Sequence, residues 1–203
     1  LLTDGVQTMT AKRVQKSLRE IKKYELLNTR VCDLPQKIGG VLRDCILAHY
    51  RELEARGIRL RPRFYLGAEI DDGWGCVDGT ICVEVPFYLN SPDLKALHKE
   101  YYGDVEGVEE TMRILRHETG HAVNYAYRLH ERQEWRDIFG DFSKRYPNTY
   151  TRKPWSRKHV RHFKLEPFYA QRHPDDDWAE SFAVWLTPGL NWRRRYKGWD
   201  AIE

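Results

Sequence analysis

Residues 105–129 constrain this chain most. Val105, Val108, Met112, Leu115, Ala122 and Ala126 recur at helical spacing, which predicts one long amphipathic helix. Inside it runs Leu115-Arg116-His117-Glu118-Thr119-Gly120-His121-Ala122. His117 and His121 are four residues apart, so both imidazoles leave one side of the rod. At about 100° per residue they lie almost opposite the stripe of Val108, Leu115, Ala122 and Ala126. The stripe is expected to pack on a core, with the histidines facing a space that a C-terminal lobe could cover. Two imidazoles on a rigid rod can place nitrogens about 2.0–2.1 Å from a single zinc ion. Glu118, one step from the first histidine, can reach a water on that ion without ligating it. Gly120 costs about 1 kcal/mol in a helix interior. A bare backbone between the two histidines lets another segment approach closely. Two surface histidines on an ordinary helix would not need this spacing, facing and small neighbour together.

Two histidines hold a catalytic zinc poorly; a third ligand is expected, with one position left for water. A His six residues after the second would be one solution, but that position is Tyr127. A Glu from a later helix is another. Glu180 fits, as the acidic residue inside the short apolar segment Trp178-Ala179-Glu180-Ser181-Phe182-Ala183. A carboxylate among Trp178, Phe182 and Trp185 needs a partner, because a lone buried charge is costly. Asp177, Asp176 and His173 are rivals, and Asp177 could instead orient a ligand histidine. For the developing oxyanion of an acyl transfer, the candidate donors are Tyr169, His173, Tyr150, His159 and His162, with Tyr169 favoured.

The rest of the chain reads as α+β. Val14, Leu18 and Ile21 suggest a helix over 10–27. Ile38, Val41, Leu42, Cys45, His49 and Leu53 suggest a stronger one over 36–56, ended by Gly57. Arg59–Leu66 reads as an edge or short strand because Pro62 interrupts it. Asp71-Asp72-Gly73 and Asp78-Gly79 are turn signals, and Thr80–Val85 is a β-branched strand ended by Pro86. Its Ile81–Val85 portion is a candidate sheet edge for pairing with an extended peptide. Ser91-Pro92-Asp93 caps a further helix. Beyond 129 the chain looks irregular until a short helix after His173-Pro174, whose first turn carries Asp175, Asp176 and Asp177 at the positive helix end. The expectation is one catalytic domain in two lobes. Residues 1–130 would hold the helices, a small mixed sheet and the motif helix. Residues 131–203 would form a mostly helical, loop-rich lobe that brings the third ligand.

The motif together with His173–Leu186 resembles the bacterial family of zinc-binding metallopeptidases of gluzincin type. Arg61–Leu66, Val85–Leu89, Trp192-Arg193 and Gly198-Trp199 resemble further segments of that family. The resemblance runs from about residue 30 to 200. It implies a zincin-like fold and one Zn2+ per chain, held by His117, His121 and Glu180. It also implies Glu118 as the catalytic carboxylate of a peptide-bond hydrolase of endopeptidase type, and it brings no known substrate with it. The thermolysin arrangement would place an Asp four residues after that Glu, where Val184 stands. Members often carry an N-terminal zinc ribbon, and this chain has none.

Composition narrows the partners. Hydrophobic residues are 41% and charged residues 32%, a globular balance rather than a disordered one. No apolar run approaches the roughly 20 residues of a membrane span. The basic, aromatic stretch from Arg152 to Lys164 and the cluster Arg193-Arg194-Arg195 keep open a nucleic-acid-associated protease or binding module. Against it, the net charge is only +4. A catalytically idle zinc-binding interaction protein is the other alternative. Cys32, Cys45, Cys76 and Cys82 form no CxxC pair. A Cys76–Cys82 disulfide is possible, but reduced thiols and a cytoplasmic location are the expectation.

Overall fold

A computed structural model describes residues 20–68, 73–162, 168–200 and 202. The first half of the expected 10–27 helix, Asp71-Asp72 and the Phe163-Lys164 end of the basic stretch lie outside these; residues 20–27 are helical. Helix α1 spans Gly40–Ala55. A sheet follows, of β1 (Arg63–Gly67), β2 (Gly75–Cys76) and β3 (Cys82–Pro86). Then come α2 (Pro92–Tyr102), the motif helix α3 (Val108–Tyr127), α4 (Gln133–Phe139), α5 (Pro174–Leu186) and the single turn α6 (Trp192–Arg195).

The α+β class is as expected, with two local differences. The sheet order is β1-β3-β2, with β1 parallel and β2 antiparallel to β3. β3 is therefore the middle strand, not an edge; its Val83 and Val85 are fully buried. Among the described residues the outer strand beside the motif helix is β2. The loop-rich reading of the C-terminal lobe also overlooked α4, whose Trp135 is buried. Its short span holds too few apolar repeats to show a period.

Proline and capping signals are where the chain placed them. Pro62 stands just before β1, which is an edge strand. The Ser91 hydroxyl accepts from the Asp93 N–H, with Pro92 at the first helical position. His173 caps α5 by accepting the Asp175 N–H on Nδ1 at 3.1 Å. All four cysteines are free thiols. Cys76 is in register with Val83, so Cys82, the next residue on β3, presents its side chain to the other face.

The motif helix is the centre of the molecule. On one side, Met112 and Leu115 pack with Leu42, Cys45 and Ile46 of α1 and Val85 of β3. On the other, Val123 meets Leu53, Phe182 and Leu186. From Thr111 to Asn124 nearly every position is buried, whichever way it faces, because α5 covers the histidine side. The ends of the expected stripe fare differently. Val108 is 56% exposed and Ala126 is also exposed, since the first and last turns extend past their neighbours. Val41 on α1 likewise points outward.

Gly120 sits where α5 crosses. A Cβ there would lie 2.8 Å from the Ala179 Cα, and the Trp178 Nε1–H donates to the Gly120 carbonyl at 2.7 Å. The bare backbone thus permits the contact that brings the two helices together. Behind the helix, Arg116 donates both Nε and Nη2 to the Glu52 carboxylate at 2.7 Å each. The His49 ring pairs with the Thr119 hydroxyl at 2.7 Å. These polar links lock α1 to α3 from the face opposite the site.

Candidate metal centre

His117 and His121 turn their Nε2 atoms toward each other at 3.1 Å. Their outer nitrogens are both held by carboxylates from α5. His117 Nδ1 is 2.9 Å from Glu180 Oε1, and His121 Nδ1 is 2.7 Å from Asp175 Oδ2. A carboxylate at Nδ1 demands a proton there, which fixes the tautomer and leaves Nε2 with its lone pair inward. Asp175 is itself restrained by the Asn124 amide at 2.6 Å and the Tyr125 hydroxyl at 2.9 Å.

Two inward lone pairs repel unless something positive lies between them. In the bare chain that is one proton. Burial opposes charge on both rings, but Asp175 overrides it at His121, raising its pKa to about 9. Burial and then the charge on His121 push His117 down to about 3.

Asp176 completes the group. Its Oδ1 is 3.7 Å from His121 Nε2 and 4.0 Å from His117 Nε2, and its Oδ2 is buried without a hydrogen-bond partner. Donors bound tetrahedrally to one zinc lie about 3.3 Å apart. Two converging imidazoles and an undersatisfied carboxylate therefore suit a divalent cation of zinc size. His117, His121 and Asp176 are, among the described residues, a set that could hold a metal.

Glu180 does not converge with them: it lies on the far nitrogen of His117. Asp176 and Glu180 are four apart on α5 and share a face, so the helix pattern did not separate them. Asp176, at the N-terminal turn, is level with Nε2; Glu180, one turn on, is level with Nδ1.

Glu118 is buried, and its Oε2 accepts the Cys76 backbone N–H at 2.8 Å. The edge strand β2 thereby fixes the carboxylate beside the histidines. Nothing in the sequence marks this contact, because it depends on where a two-residue strand lands.

The Tyr169 ring stands edge-on to His117 at 5.6 Å, and its hydroxyl accepts from Arg172 Nη1 at 2.8 Å. Tyr146, missed in the sequence reading, brings its hydroxyl to 3.5 Å from Asp176 Oδ1 and stacks on His173 at 3.8 Å. Arg172 lies over both tyrosine rings. The other candidate donors are engaged elsewhere. His173 caps α5 and bonds the Lys144 carbonyl. His159 pairs with Asp177 at 2.7 Å, and Tyr150 lies under Arg152. His162 is buried deeply enough to lower its pKa to about 4.

Residues 106–188 match the model of the family described as putative zinc-binding metallo-peptidase. The match begins just before α3 and ends just past α5, so it contains the histidines, Glu118 and every carboxylate of the cluster. Cys76 and its strand fall outside it. No curated protein and no solved structure matches the chain. No described helix is long and apolar enough to cross a membrane.

The basic stretch is partly spent within its own lobe. Arg161 lies over the Phe168 and Trp199 rings, Arg193 over Trp192 and Arg195 over Tyr196.

Proposed function

We propose that the chain is a zinc-dependent peptidase of zincin type. His117 Nε2, His121 Nε2 and Asp176 would hold the metal, and Glu118 would serve as general base. The observation that carries this reading is the convergence of two tautomer-locked Nε2 atoms and a buried, undersatisfied carboxylate. Glu180 and Asp175 act as orienting partners, and each is expected to strengthen metal binding through its histidine.

Zinc bound there supplies Lewis acidity, polarising a carbonyl and acidifying water. The chain supplies the remainder. With Oε2 held by the Cys76 N–H, Glu118 keeps Oε1 to take a proton from the attacking water and return it to the leaving amine. The tyrosine hydroxyls at 146 and 169 stand beside the cluster and would have to turn from their present partners to donate to a developing oxyanion. The half-buried outer edge of β2, whose Cys76 N–H is held by Glu118, is where an extended substrate backbone could lie alongside Glu118.

Replacing Glu118 with Gln tests the assignment. Peptide hydrolysis by the zinc-loaded chain should fall about a hundred- to ten-thousandfold while one zinc per chain is retained. A variant that cuts as fast as wild type removes Glu118 from the chemistry.

A further inference from the structure

A cavity of about 310 Å3 opens beside the metal-ligand cluster, between the β2–β3 turn at Asp78 and the loop carrying Phe142 and Tyr146. Its walls are largely rings. Phe142 stacks on His130 at 4.1 Å and meets Tyr125 edge-on at 6.2 Å. Tyr146 is 41% exposed although its ring is stacked, so one face of its pocket wall is open.

This cavity is joined to the cluster by two hydroxyls. That of Tyr125 donates to Asp175 Oδ2, the same oxygen that faces His121. That of Tyr146 reaches toward Asp176. Whatever occupies the cavity is therefore one side chain away from the reacting position.

We propose that this cavity receives a bulky aromatic side chain of the substrate, at a position flanking the scissile bond. The proposal rests on the peptidase reading and names its substrate class. Aromatic walls offer both faces and edges to an incoming ring, and such pairs gain energy beyond simple burial. A basic side chain would want an uncommitted acid at the floor. Asp175 already serves His121, Asn124 and Tyr125, and Asp78 shares the lining with Lys144. The polar groups that remain give the mouth mixed charge rather than selectivity for one sign.

The test uses two hydroxamates on an identical short peptide scaffold, one with a benzyl and one with a methyl side chain. Their affinities for the zinc-loaded full chain are measured by calorimetry, alongside zinc content. The benzyl compound should bind at least about tenfold more tightly. Phe142→Ala should bring the two affinities within about threefold, with zinc content and methyl-compound affinity unchanged. A ratio near one in wild type, no binding of either compound, or a ratio unaffected by Phe142→Ala overturns the pocket. So does tighter binding of a lysyl analogue that is lost in Asp78→Asn. Hydrolysis of peptides is scored separately. Selective hydroxamate binding without any cleavage keeps the pocket and rejects the peptidase reading; cleavage with no benzyl preference does the reverse.

Discussion

At the scale of single residues, the centre is a contest between two carboxylates one turn apart on α5. Asp176 turns Oδ1 toward two Nε2 atoms and keeps a buried Oδ2 without a hydrogen-bond partner, whereas Glu180 faces the His117 Nδ1. Their removal should have different consequences. Asp176→Ala should weaken zinc binding by more than about a hundredfold, because a ligand is lost. Glu180→Gln should weaken it about ten- to a hundredfold, because His117 merely loses its orienting partner. Competition with a chromogenic chelator measures both, and the reverse order would return Glu180 to the ligand set. That His117 and His121 share one side of a helix was legible from spacing alone, since an i, i+4 pair on a helix has little freedom. Asp175 was not. It looked like an acidic residue suited to a helix start, and only the tertiary contact to His121 Nδ1 gives it a second role.

At the scale of elements, the site depends on how closely α3 and α5 approach. Gly120→Ala gains roughly 1 kcal/mol of helix propensity but places a methyl group 2.8 Å from the Ala179 Cα. Overpacking of this kind costs about 1–3 kcal/mol, so a net loss in chemical denaturation is expected, with weakened zinc binding as the helices part. An increase in stability would mean that the crossing is looser than described. The α1–α3 contact carries a second prediction. Burial opposes ionisation of Glu52, but the Arg116 fork and His49 outweigh it and hold its pKa below the usual 4.5. The folded value is depressed, so its contribution is present above about pH 4.5 and is lost as pH falls through the folded value. Glu52→Gln leaves Arg116 buried without its counter-charge and should cost about 3 kcal/mol at pH 7. The difference from wild type should shrink in acid. A difference that does not change with pH would assign the loss to packing.

The helices on which the site stands were readable because their apolar repeats are long: α1 and α3 each bury a regular stripe. The strand order was not readable, since Thr80–Val85 has the same β-branched composition whether it lies in the middle of a sheet or at its edge. That ambiguity matters to function, because it moved the available edge from β3 to β2. There Cys76 both ends the sheet and holds Glu118.

For the whole molecule, the centre gathers Glu118, Asp175, Asp176 and Glu180 around two histidines in a buried space, so the metal-free chain carries an electrostatic burden. Burial first, then the charges of Asp175 and Glu118, raise Asp176 to about 7 against the pull of His121 and Arg172. Its folded pKa exceeds the unfolded 3.8. The metal-free chain therefore has this contribution in full below about pH 4 and loses it as pH rises through about 7. Zinc requires the ionised Asp176 carboxylate and must displace the proton held by His121, so its affinity should fall as pH drops below about 9 and more steeply below about 7. Thermal unfolding with saturating zinc should show a midpoint increase larger at pH 8 than at pH 6, and abolished by chelator. An increment independent of pH would remove Asp176 from the binding group.

The ligand set can be read directly from a crystal structure of the zinc-loaded chain, with the metal located by anomalous scattering. One zinc is expected about 2.0–2.2 Å from His117 Nε2, His121 Nε2 and an Asp176 oxygen, with Glu180 still on His117 Nδ1. Zinc ligated by Glu180 instead of Asp176, or absent from between the two histidines at full occupancy elsewhere, would contradict this ligand set.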